Sequence, residues 1–369
     1  MSRLPGLATA TITFVFLSAL LAGALGYATL NERVTAYQES ALAVAVETRV
    51  RGAQVAFSSA LHREWEGLKA VAQKLDPDKP TELDQALSLV VGSGSLISWA
   101  GYAGIDGVVR TASNGLLLNA SVASRPWYQQ GLKGDFAGDV HEAVLLASLL
   151  PPQGTEPRRF LDLASPIRSA NGSVAGVLGY HLNYKWAQRL LKEMATSLDV
   201  DLFLVNVNGD AVIATDGGIY HSPDLASFRT ARTGASAVNV ETWPDGRPYF
   251  TAVLPELDYQ DLPRFGWSMI ARIDASKLAE PNRQFSTGLL WNLALFGLLL
   301  ILMSAVFVVV FIRPFGQLAD NAARIAAGDD VYPFESRRTR ELNMIASSIA
   351  KLQAKVALSP TKSGQTRRE

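Results

Sequence analysis

Between Ser121 and Gly131 the chain reads SVASRPWYQQG, which sets Arg125, Pro126, Trp127 and Tyr128 side by side. A guanidinium offers a planar fork of donors that fits a carboxylate bidentately. Flanking aromatics supply the flat apolar walls and polar tips used by small-molecule pockets. The same four residues also read as an ordinary helix start, with Pro126 at the first helical position, Trp127 in the core and Arg125 in solvent. Taken alone, they favour that second reading. The other chemical grouping is His141 and Glu142, in GDVHEAVLL, with His181 in GVLGYHLNY. A His/Glu/His set can hold zinc, but one adjacent pair and a distant third residue are weak spacing, so no metal and no cofactor is expected. His62 and His221 read as helix or surface histidines. Tyr102 is a candidate wall residue of the pocket, although core packing suits it better. No nucleophile elbow, phosphate loop or paired-carboxylate motif is present, and Asp106 and Asp210 fall in turns. Catalysis is not expected.

The composition narrows what surrounds these residues. Acidic and basic side chains balance at 34 each, so no global charge points to nucleic acid. Cysteine is absent, which rules out disulfides and thiolate metal sites. Ala8 to Leu30 and Phe285 to Ile312 carry no charged residue, and each exceeds the roughly 20 residues needed to cross a bilayer as a helix. The first segment could also be read as a signal peptide, but its apolar run is longer than a signal core, so an uncleaved anchor is expected. Arg313, Arg324, Arg337, Arg338 and Arg340 follow the second segment, whereas mixed charge follows the first. The excess of arginine predicts a cytoplasmic C-terminus. Residues 1–7 then also lie in the cytoplasm, with 8–30 and 285–312 in the membrane and 31–284 outside.

That outer segment must position the candidate pocket. From Asn31 to Leu75 there is no proline, and apolar residues recur at helical spacing through Phe57, Leu61, Trp65 and Leu68, predicting a long helix with a conceivable break at Gly52. After Pro80 a shorter helix restarts, with Thr81 as its N-cap. Short apolar runs then alternate with turn dipeptides. ISWAGYAG and GVVRTAS flank Asp106-Gly107; RFLDLASPIR and SVAGVLGYHLNY flank Asn171-Gly172; DVDLFLVNV and DAVIATD flank Asn208-Gly209. Each is a strand–turn–strand signal. KWAQRLLKEMATSL between them is helical, and PYFTAVLPEL and GWSMIARID close the region. The fold class is α+β, with two units on the long helix, a distal one at about 81–195 and a proximal one at about 199–275.

This series, IDG, SRPWY, GSVAGVLGYHLN and GWSMIARID between two spans, resembles the double Cache (PAS-like) extracellular sensor family. The resemblance implies that Arg125 and Trp127 hold a ligand's carboxylate, which reverses the balance at SVASRPWYQQG towards a pocket. Tyr128, His141 and Glu142 join them as expected contacts. The amino-acid-binding branch has an aspartate, for the ligand's ammonium, where this chain has His181. An imidazole is a poor ammonium partner but a good donor to oxygen, so the expected ligand is a carboxylate or another small organic anion.

After the second span, Pro314 opens a helix with Leu318, Ala322 and Ile325 on one face. GDDVYPF interrupts it, and Leu342, Ile345, Ile349, Leu352 and Val356 then follow a heptad. Such short seams are buried most simply in a parallel four-helix bundle from two chains. The segment 313–358 resembles a HAMP domain, with Pro314, Gly328 and Glu341 at its relay positions. Arg340 departs from the acid usual there. Residues 359–369 are polar and expected to be disordered. The expected protein is therefore a homodimeric receptor of the bacterial inner membrane, joined through HAMP and the long helix, without a catalytic output domain and with an unidentified cytoplasmic partner. Two alternatives stay open: the sensory portion of a histidine kinase or diguanylate cyclase, and a ligand-independent membrane interaction protein.

Overall fold

The structure is a computed structural model that describes residues 6–150, 157–329, 331–332 and 339–357. The chain divides into two units, one formed by residues 37–279 and the other by the segments on either side.

Helix α1 (Leu7–Ala72) runs without a break through Gly52. With no proline inside, nothing removes a backbone donor from it. In the larger unit its stripe of Val46, Val50, Ala53, Phe57, Leu61, Trp65 and Leu68 is buried, the three-to-four spacing of one helix face. Beyond it, Pro80–Leu83 is a single 3-10 turn and α2 (Asp84–Val91) follows. Thr81 therefore does not cap a helix. Its carbonyl accepts the Asp84 N–H inside the tight turn that Pro80 begins.

Five antiparallel strands follow: β1 (Ile97–Gly104), β2 (Val109–Ala112), β3 (Phe136–Glu142), β4 (Arg159–Arg168) and β5 (Val174–Asn183). Their order is β2-β1-β5-β4-β3. Helices α3 (Pro126–Gly131) and α4 (Val144–Leu149) lie in the connections, and α5 (Tyr184–Leu198) leaves β5 capped by Asn183, whose Oδ1 accepts the Lys185 N–H at 2.9 Å. The second sheet contains β6 (Asp201–Val205), β7 (Ala211–Ala214), β8 (Ala237–Thr242), β9 (Pro248–Leu254) and β10 (Ser268–Asp274), in the order β7-β6-β10-β9-β8, with α6 (Ala226–Thr233) before β8. The three turn dipeptides do join hairpins: Gly107, Gly172 and Gly209 have φ of 74°, 84° and 88°, a region where an L side chain is strained.

Side chains alternate across each strand, so each sheet faces two environments. Ala100, Tyr102, Leu161, Leu163, Leu178, Tyr180 and Leu182 of the first sheet join α1, α5 and the second sheet's Leu202, Leu204, Met269 and Ala271 in one core. Trp99, Ala103, Phe160, Ala164 and Val177 face the other way and pack with Trp127, Tyr128 and Leu146. That second face carries the site.

In the other unit, α7 (Ala279–Phe307) continues through a π-helical stretch, Val308–Ile312, into α8 (Arg313–Ala326), and α9 (Arg340–Ala357) follows. The helices from Leu7 and from Gln284 are each long and apolar enough to cross a membrane. Pro314 sits in the first turn of α8, directly after the π-helical stretch, where the continuous helix locally adjusts its hydrogen bonds. Gly328 (φ 95°) closes that helix: its N–H donates to Ile325 O and the Asp329 N–H to Arg324 O, both at 3.1 Å. Leu318, Leu342 and Ala346 bury one another with Ile349 beside them, while Ile345 and Leu352 are exposed. Glu341 lies in the first turn of α9. The Val356 side chain, Arg337, Arg338 and the tail 359–369 lie outside the described residues.

Candidate ligand-binding site

A small cavity of about 70 Å³ opens on the second face of the first sheet, lined by Leu117, Val122, Arg125, Trp127, His141 and His181 among others. At about 10–15 Å³ per water it has room for a few waters or a small ion. One wall is the loop after β2, held by Trp99, whose Nε1 donates to Leu116 O at 3.0 Å, and by the Val122 N–H, which donates to Gly107 O at 2.7 Å.

Arg125 is the N-cap residue of α3, with extended backbone (φ −83°, ψ 136°). Its side chain is exposed, and among the described residues nothing pairs with its guanidinium. Trp127 is 3% exposed and serves both readings at once, packing in the core and lining the cavity. Gly179 on β5 lies beneath its indole: a Cβ there would come within 2.7 Å of the ring carbons, so only glycine leaves the ring its slot.

His181 on β5 forms the floor, enclosed by Trp99, Trp127, Phe160 and His141 with ring centroids 5.0–5.9 Å away. Its Nδ1 is 2.5 Å from Oδ1 of Asp162, its direct neighbour on β4. Asp162 Oδ2 is in turn 3.6 Å from His141 Nε2. His141 reaches this face through a bulge in β3. Gly138 pairs with Asp162 while His141, three residues on, pairs with Phe160 only two residues away. The extra residue re-aims the strand; in regular register His141 would turn to the opposite face. His141 Nδ1 lies 3.2 Å from the Asp139 carbonyl, and the Asp139 carboxylate accepts from Trp267 Nε1 at 2.7 Å and Asn206 Nδ2 at 3.0 Å, both on the second sheet's side of the unit.

The fold thus brings Arg125, Trp127, His141 and His181 together. Tyr128 is buried beside them with its hydroxyl donating to Gly104 O at 2.7 Å, so it supports the wall without lining it. Burial raises its phenol pKa. Tyr102 is on the opposite face of β1, an odd number of residues from Trp99; its hydroxyl donates to Ala175 O at 3.1 Å, and burial pushes its pKa up to about 12. Glu142 is exposed at the end of β3, opposite Arg159 and outside the cavity. Sequence reasoning missed Asp162, although a lone carboxylate in the apolar run FLDLA was a readable signal, since such a group needs a partner when buried. It is 3% exposed.

No protein-family model matches the chain, and neither does any curated protein. Similar solved structures are extracellular ligand-binding domains. One is the extracellular domain of a protein described as the histidine kinase rpHK1S-Z16 (12% identity, 63% of this chain and 95% of that one, TM-score 0.47). Another is the ligand-binding domain of the Campylobacter jejuni chemoreceptor Tlp3 with L-norvaline (12% identity, 64% and 92%, TM-score 0.47). A third is that of the Pseudomonas aeruginosa PAO1 amino-acid chemoreceptor PctB with L-Arg (18% identity, 65% and 97%, TM-score 0.46). Likenesses of this degree leave the functional reading to the geometry of the cavity.

Proposed function

We propose that the chain is a transmembrane sensory receptor that binds a small organic anion, with a carboxylate as its recognised group, in the cavity of the first sheet. The observation that carries the reading is the Arg125 guanidinium, unpartnered among the described residues, at the rim of a small cavity bordered by two imidazoles. Arg125 would take the carboxylate in its fork, Trp127 would press on the ligand's apolar part, and His141 or His181 would donate to a further oxygen. A volume near 70 Å³ suits a ligand of few heavy atoms.

Coupling out of the site would run through β3. A ligand drawing on His141 acts on the Asp139 segment, whose carboxylate is bonded to Trp267 and Asn206, which flank strands of the second sheet. For the signal to pass, the ligand must bind two states of the receptor differently, by about 1–3 kcal/mol for ordinary coupling. Residues 313–358 would act as a HAMP relay in a homodimer, since Ile345 and Leu352 leave half of the α9 seam exposed in one chain. Residues 31–284 would lie outside the inner membrane and the C-terminus in the cytoplasm. Catalysis is not part of this reading.

The test is a thermal-shift screen of the full chain in detergent against small mono- and dicarboxylates, followed by tryptophan fluorescence because Trp127 lines the cavity and Trp99 packs against His181. Stabilisation by a carboxylate that disappears in Arg125→Ala supports the proposal. If no carboxylate acts, or the variant responds as the wild type does, the anion assignment fails.

A further inference from the structure

We propose that the first sheet's cavity also holds a divalent transition-metal ion, ligated by His141, Asp162 and His181. The inference goes beyond the anion reading and does not require it, although a bound metal would give an incoming carboxylate a second point of attachment.

The three side chains offer one ligand atom each, and these atoms lie within 4.8 Å of one another. Ligand bonds of about 2.0–2.1 Å place the atoms of a tetrahedral site about 3.3 Å apart. The 3.6 Å from His141 Nε2 to Asp162 Oδ2 is close to that separation. The 2.5 Å hydrogen bond from His181 Nδ1 to Asp162 Oδ1 has to open as the ion enters. Two imidazoles and one carboxylate form the donor set of zinc, cobalt and nickel sites and are too rich in nitrogen for magnesium or calcium.

Three surrounding features favour a metal over a merely structural triad. Asp162 is buried, and among the described residues no lysine or arginine pairs with it, so the only groups that face its charge are imidazoles. A buried carboxylate needs a counter-charge, which a divalent ion supplies with charge to spare for an anion. Both imidazoles border the cavity, which leaves an open coordination position and an entry path. His141 also has its orienting partner, because Nδ1 lies 3.2 Å from the Asp139 carbonyl while Nε2 turns towards Asp162. Metal-ligating histidines characteristically donate their other N–H to such a group. The second cluster of potential ligands, His62, Glu66 and Asp261, lacks these features, since Lys69 already pairs with both of its carboxylates.

The experiment uses the full chain, without a histidine tag, in detergent and stripped by EDTA, titrated with Co²⁺ and then with Zn²⁺. The expected result is one equivalent of Co²⁺ with visible absorption of a four- or five-coordinate site, displaced by Zn²⁺ but not by Mg²⁺. His141→Asn and Asp162→Asn should weaken Co²⁺ binding by about tenfold or more. His141 is the decisive position because its half-exposed side chain can be replaced without opening the core; an unchanged near-ultraviolet circular dichroism spectrum checks the fold. Arg125→Ala should leave Co²⁺ binding intact, which separates this outcome from loss of the anion response. Absence of bound Co²⁺ overturns the proposal. So does affinity unchanged in His141→Asn, or affinity lost in His62→Asn instead.

Discussion

The two sheets share one strand order, yet the third strand of each carries a different kind of polar residue. In the first sheet it is His181 on β5, beside Asp162 on β4 and Trp99 on β1. In the second it is Arg272 on β10, beside Thr251 on β9 and Asp201 on β6. Arg272 donates to Asp201 at 3.0 Å and to Asp216 at 2.9 Å. Its guanidinium also lies over Trp243 and Tyr249, each 4.2 Å to the centroid, and 5.2 Å from Phe203. The cation is spent inside the protein: paired, stacked and 5% exposed. At the first sheet's cavity the cation is Arg125, carried on a connection outside the sheet and without a partner among the described residues. A larger cavity, of about 400 Å³, also reaches Arg272, Asp201 and Tyr249, so the two sheets differ less in open space than in whether the cation is already satisfied within the protein. The fold decides where a site can be; the placement of the cation decides whether a ligand is needed to complete it.

Arg272→Ala should break this comparison hardest. It leaves Asp201 and Asp216 without their cation and opens the aromatic cage, and losing one partner of a buried pair costs about 3–5 kcal/mol. A large fall in the melting temperature is expected, and a fall of under 2 °C would show that the Arg272 network is not structural. Gly179→Ala comes next. The added Cβ meets the Trp127 ring at 2.7 Å, overpacking of a kind that costs about 1–3 kcal/mol. Carboxylate and Co²⁺ responses should both be altered, because the ring that borders the cavity must move. Arg125→Ala should do the reverse of Arg272→Ala, changing stability by no more than about 0.5 kcal/mol while abolishing the carboxylate shift. A large loss of stability in this variant would make Arg125 structural and erase the contrast.

The smallest effect concerns the latch between α1 and the segment before β10. Lys69 beside Asp261, followed by His62, holds that carboxylate below its usual range, and the same pairing raises the Lys69 pKa. A lowered carboxylate pKa contributes stability above the unfolded value of about 3.9 and loses it as pH falls through the folded value. The raised lysine pKa contributes below about 10.4 and is lost as pH rises through its folded value. The stability difference between wild type and Asp261→Asn should therefore be present at neutral pH and close towards both extremes. Asp261 is more than half exposed, so solvent limits the effect to about 1 kcal/mol or less. Melting temperatures followed across pH for both proteins measure it.

Much of this architecture was legible in residue order because its causes are local. Asp106-Gly107, Asn171-Gly172 and Asn208-Gly209 announce hairpins since only glycine adopts their φ without strain. The stripe from Val46 to Leu68 announces a helix face, and two uncharged runs announce helices fit for a membrane. Strand β8 and helix α6 escaped notice: the alternation in β8 is only Val238-Asn239-Val240-Glu241, and at the sheet edge none of its residues is fully buried. Tyr102 was a candidate wall residue better suited to core packing, and its odd spacing from Trp99 puts it on the other face of β1, in the core.

The sequence by itself determined the long helix, the three glycine turns and the two apolar runs, and it raised Arg125 and Trp127 as candidates. Only the tertiary structure decided that Asp162 is the third member of the histidine cluster and that Glu142 is not. Two facts govern that outcome, the β4–β5 register and the bulge between Gly138 and His141. Local preferences are written in neighbouring residues, whereas cross-strand neighbours depend on register, and a shift of one residue exchanges every side chain between the faces of a sheet.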